Sequence, residues 1–179
     1  MSVGHIGNML TEGSEASNTS VEHWHHRPLD ISAGIDALET LISPAALAGQ
    51  IDTSRTLLTG HSRGAYTTWA AGGATYDVEN IQSRCDNGNY PDGCSEEAIA
   101  SFSQGFSDPR IKALIPTAGS GHGEFFDGVQ GRDAVALPMF MMTATEDQVG
   151  AESVYENTNI DDFTWVEIEG GCHELFNLG

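Results

Sequence analysis

Three short stretches carry the side chains best suited to nucleophilic chemistry. The first is Gly60-His61-Ser62-Arg63-Gly64, entered from the apolar Leu57-Leu58-Thr59 and left by the helix-like segment that follows. A serine between glycines on a strand-to-helix turn is held in a strained, projecting position, and the glycines spare that turn the collisions a Cβ would bring. The next amide, on Arg63, sits at a helix start and can donate to a developing oxyanion. A serine hydroxyl also needs a base, and the base needs an orienting carboxylate. In sheets of this kind both should follow the serine, acid first and histidine second, each just past a strand. Residues 137–144 are followed by Glu146 and Asp147, and residues 163–168 by His173. Asp147 is preferred over Glu146 because its side chain is shorter and it ends the turn before a helix. His61 shapes the elbow and His122, in Gly-Ser-Gly-His-Gly, lines the pocket; both are read as substrate-side residues rather than bases. Each site also has a plainer reading: an idle serine at a glycine-rich helix start, Asp147 as a helix cap, and His173 packed under the C-terminus.

The elements that must hold these groups follow from hydrophobic periodicity. Residues 1–28 are polar and Gly/Ser-rich and read as an exposed loop. Ile31, Ile35, Leu38 and Ile42 fall at helical spacing, with Asp30 as N-cap and Pro44 as the stop. A short strand is expected at 56–60 and a helix at 62–71, closed by Gly72-Gly73. Ser95-Glu96-Glu97 is a favourable start for another helix. The near-continuous apolar runs at 111–118 and 137–144 suit strands covered on both faces. A fourth strand is expected at 163–168, with a helix at 150–157 before it. Strands joined by helical or long connections imply a parallel sheet, so the fold class is α/β: about four mostly parallel strands flanked by helices, one domain over residues 1–179.

Charge sets the boundaries on partners. Twenty-six acidic residues face seven basic ones across 179 residues, for a formal charge of −19; Lys112 is the sole lysine, and ten acids but no Lys or Arg follow Arg132. Such a surface repels phosphate backbones and anionic lipid, which argues against nucleic acid and membrane as partners. The acids are interspersed with apolar segments, so they read as a solvated shell suited to high salt, where screening relieves self-repulsion. No stretch is apolar enough to cross a bilayer, and no basic-plus-apolar leader opens the chain. The histidine-rich stretch at 23–26 lacks ligand spacing, since adjacent histidines cannot converge on one ion; no metal and no cofactor are expected. Cys85 and Cys94 bracket a turn-rich loop, which either a disulfide closes in an oxidising compartment or two free thiols flank. Cys172 is the third cysteine.

Taken in order, "RPLDISAGIDAL" (27–38), "GHSRGAYTTWA" (60–70), "DPRIKALIPTAG" (108–119), "LPMFMMTATEDQ" (137–148) and "GGCHELF" (170–176) resemble the predicted dienelactone hydrolase group of α/β hydrolases. That group is akin to platelet-activating-factor acetylhydrolases and cutinase-like, polyester-cleaving esterases. The cysteine-bracketed loop ahead of Asp108 resembles the group too. The resemblance implies carboxylic-ester hydrolysis with Ser62 as nucleophile, His173 as base and Asp147 as its orienter. Dienelactone hydrolase proper uses a cysteine nucleophile, so Ser62 points to ordinary, small, short-acyl esters. "HIGN" at 5–8 resembles the stretch just after the family's fourth strand. The expectation is therefore a truncated fold, without the first strands and without the loop that supplies the second oxyanion donor; only the Arg63 amide carries over. With little chain to build a lid, an open pocket is expected. A strand at 56–60 without its usual neighbour has a bare edge, which favours a homo-oligomer. The alternative to an esterase is a catalytically weak remnant serving as a binding or structural subunit.

Overall fold

The computed structural model describes residues 1–5, 21–41, 47–90, 93–120 and 125–176. In chain order the elements are α1 (Val21–Glu39), β1 (Thr56–His61), α2 (Arg63–Ala71), α3 (Val78–Asp86), α4 (Glu96–Gln104), β2 (Ile111–Thr117), α5 (Gly128–Asp133), β3 (Met139–Ala144), α6 (Ala151–Asn157) and β4 (Phe163–Ile168), closed by a 3₁₀ turn at His173–Phe176. The four strands form one sheet in the order β1-β2-β3-β4, with every pairing parallel. This is an α/β fold. Two compact units divide the chain: Met1–Thr53 with Val78–Gln104, and Ser54–Asp77 with Gly105–Gly179.

The first unit is helical. Its fully buried large side chains are Val21 and Ile35 of α1, Ile81 of α3 and Phe102 of α4. α1 starts at Val21, nine residues before Asp30, and runs through Pro28. Residues 21–28 are thus helix rather than loop, and Asp30 is not an N-cap. Its carboxylate instead meets His5 Nδ1 at 2.8 Å. The physical reason is a longer buried stripe: Val21, Pro28, Ile31 and Ile35 all bury, and their spacing continues one helix face back past the polar histidines. Ile42 and Pro44 lie outside the described residues. α4 opens as its sequence implies, with Ser95 Oγ accepting the Ala98 N–H at 3.1 Å and Glu96 and Glu97 in the first turn. Cys85 and Cys94 form a disulfide, with their Cα atoms 5.8 Å apart. Cys172 is free and exposed.

The second unit holds the sheet. Register puts Leu114, Met139 and Met141 on one face, and all three are buried. α2 covers this face through Trp69, whose ring meets Phe163 edge-on at 6.1 Å; α6 covers it through Tyr155, packed on Phe163 and Trp165. The opposite face carries Leu57, Phe140 and Val166, which are 56%, 39% and 37% exposed. Of the two near-continuous apolar runs, the one in β3 is thus not fully covered on both faces, because Phe140 is exposed. Among the described residues, β1 and β4 are the sheet edges. None of the described helices is long and apolar enough to cross a membrane.

Candidate active site

The carboxyl ends of parallel strands are where loops gather and where α/β sheets present chemistry. β1 ends at His61, and Ser62 takes the next position with φ 56° and ψ −115°. A side-chain-bearing residue at positive φ costs of order 1–3 kcal/mol and persists only where its surroundings impose it. Here the Ser62 N–H donates to Thr117 O at 2.9 Å, while Ser62 O accepts the Ala65 N–H at 2.8 Å. One bond ties the turn to β2 and the other starts α2. A serine at such a position usually caps its helix. Ser62 makes no side-chain cap bond, so the hydroxyl is not consumed by that task.

The two flanking glycines differ in what they permit. A Cβ on Gly60 would run into the Gly64 carbonyl and stand 2.8 Å from Thr68 Oγ1. A Cβ on Gly64 would meet open space. The steric demand expected of both glycines thus rests on Gly60 alone. Gly119, past the end of β2, is also required: a Cβ there would lie 2.7 Å from Ala65 Cβ and 3.0 Å from Ser62 O. Among the described residues, its predecessor Ala118 is the other non-glycine at positive φ, 48°.

Past β3, the turn Thr145-Glu146-Asp147 closes with Asp147 N–H on Ala144 O at 3.0 Å. The N-cap position of α6 is Gly150, not Asp147. Past β4, the chain must return toward β1, which lies three strands away, about 14 Å at the usual spacing. Two bonds lace the returning segment to the loop after β3: Gly170 N–H to Thr145 Oγ1 at 2.9 Å, and Glu146 N–H to Gly171 O at 3.0 Å. Gly171 is small for a reason, since a Cβ would sit 2.9 Å from Ala144 Cβ.

This path delivers His173 to Asp147. Nδ1 of His173 lies 2.9 Å from Asp147 Oδ2. The carboxylate side chain is 10% exposed and the imidazole 38%. An ionised carboxylate only accepts, so Nδ1 carries the hydrogen and Nε2 of the neutral ring keeps its lone pair. Glu146 is exposed. At the far end, His61 Nε2 lies 2.8 Å from the main-chain oxygen of His173, and the two rings sit 4.8 Å apart. The turn that bears His173 is therefore anchored beside the residue that precedes Ser62. Sequence reading gave His61 a place at the elbow but not this bond, which depends on the fold-back after β4. Arg63 is the first residue of α2. His122 lies outside the described residues. Comparison with family models, with curated proteins and with solved structures gave no match.

Proposed function

We propose that the chain is a serine carboxylesterase of the α/β-hydrolase type that acts on small, short-acyl esters. The observation that carries this reading is the His173–Asp147 bond at 2.9 Å on a turn anchored by His61, the neighbour of the strained Ser62. Ser62 Oγ attacks the ester carbonyl carbon as His173 Nε2 takes its proton. Negative charge gathers on the former carbonyl oxygen and is met by the Arg63 amide at the positive end of α2. Asp147 holds the imidazole in the productive tautomer and stabilises the imidazolium that forms. The tetrahedral species collapses, and the alcohol leaves with the proton from His173. Water then attacks the acyl-Ser62 ester with His173 again as base, releasing the acid and the free serine.

The acidic composition favours neutral or cationic esters over phosphorylated ones. The β1 edge, with exposed Leu57, is the surface we assign to self-association into a homo-oligomer. Hydrolysis of p-nitrophenyl acetate and butyrate by the protein and by Ser62→Ala tests the catalytic reading. A rate that depends on Ser62 supports it, and equal rates reject it. The alternative is a catalytically weak remnant acting as a binding or structural subunit, a reading that follows from the family resemblance carrying over only the Arg63 amide as an oxyanion donor. Loss of a single such donor costs about 10²–10³ in turnover.

A further inference from the structure

The histidine at position 61 has a task distinct from lining a pocket. Its Nε2 is 2.8 Å from the His173 main-chain oxygen. A carbonyl oxygen only accepts, so His61 Nε2 bears a hydrogen and donates, whether the ring is neutral or cationic. The donor stands on β1, whose end is fixed to β2 by the Ser62 N–H bond to Thr117 O. The acceptor stands on a 3₁₀ turn of four residues, a short element with poorer hydrogen-bond geometry than an α-helix. That turn is reached only after the chain has crossed back over the carboxyl ends of the sheet, laced on the way at Gly170 and Gly171. Those bonds fix the middle of the returning segment, and Asp147 fixes the ring. The His61 bond fixes the main chain of residue 173 itself against the strand carrying the elbow.

We infer that His61 is a positioning residue that sets where the His173 imidazole stands relative to Ser62, through its Nε2–H bond to the His173 carbonyl. The inference rests on the esterase reading for its kinetic arm and on geometry alone for its spectroscopic arm. Because Ser62 follows His61 directly, nucleophile and base are joined by one peptide unit and one hydrogen bond. Misplacement of a reacting group by about 1 Å costs roughly 10²-fold in rate.

The test compares His61→Phe, which keeps a ring but removes the donor, with His61→Gln, whose amide nitrogen reaches to about the same place. Urea unfolding confirms that both fold. With p-nitrophenyl acetate, His61→Phe should lower kcat by about 10–100-fold with KM little changed, and His61→Gln should restore most of that loss. In one-dimensional proton NMR, the low-field resonance of His173 Nδ1–H should persist in wild type and His61→Gln and broaden or vanish in His61→Phe. Wild-type kcat in His61→Phe, equal impairment of both variants, or a change confined to KM would each overturn the inference. An unchanged low-field resonance in His61→Phe would overturn it as well. If the wild-type protein hydrolyses no ester, the esterase reading fails by itself and the resonance still decides the role of His61.

Discussion

Gly60 passes so close to the Gly64 carbonyl that no Cβ fits between them, while the space beside Gly64 is open. The elbow therefore tolerates a side chain at one of its glycines and not at the other. Gly60→Ala should destabilise the fold by about 2–3 kcal/mol, since backbone rather than a flexible side chain must move. Gly64→Ala should be neutral or stabilise by about 0.5–1 kcal/mol, because alanine favours the helix that Gly64 occupies. Urea unfolding midpoints of the two variants check the asymmetry.

Ser62 holds a backbone conformation that glycine adopts freely. Replacing it with glycine removes the strain and with alanine does not. Ser62→Gly should be more stable than Ser62→Ala by about 1 kcal/mol, the strain relieved less the extra freedom of the unfolded chain. Both variants should lack esterase activity. Equal stability of the two would mean that the positive φ carries no strain.

Asp147 and Glu146 are adjacent acids with unlike surroundings. Asp147→Asn keeps the shape but disturbs the His173 tautomer, so kcat should fall by about 10⁴-fold. Glu146→Gln retains the backbone bond to Gly171 and should leave kcat near wild type. Steady-state kinetics on p-nitrophenyl butyrate separates the two positions.

Burial holds the His5 imidazole below its ordinary value, despite the opposing hydrogen bond that it donates to Asp30. The unfolded chain takes up this proton near pH 6.5, and the native state does so only at lower pH. Between those values the unfolded state binds more protons, so stability falls as pH drops. Urea midpoints measured from pH 7.5 to pH 5 should decline more steeply for wild type than for His5→Gln. Parallel profiles would show that His5 does not contribute.

All four strands were legible because each is a compact apolar run bounded by turn residues. The pairing of Asp147 with His173 was legible because it depends only on which strand each group follows. The start of α1 was not, since the histidine-rich stretch 23–26 interrupts a stripe that Val21 and Pro28 carry back. Nor were α3 and α5: Ile81 is the lone buried residue of α3, and α5 contains two glycines in six residues. The exposure of Phe140 is not written in the sequence, because an apolar run does not reveal which of its faces is covered. The His61 bond escaped for a different reason. It joins the end of β1 to the turn beyond β4, strands at opposite edges of the described sheet, and no local pattern records how far a loop turns back.

The central claim is that His173 activates the hydroxyl of Ser62. Reaction with a fluorophosphonate probe, followed by mass analysis of the proteolysed protein, tests it most directly. The account predicts a single covalent adduct on the peptide containing Ser62, absent in Ser62→Ala and formed far more slowly in His173→Gln. A folded wild-type protein that gains no adduct, or one labelled equally fast without the imidazole, would contradict it.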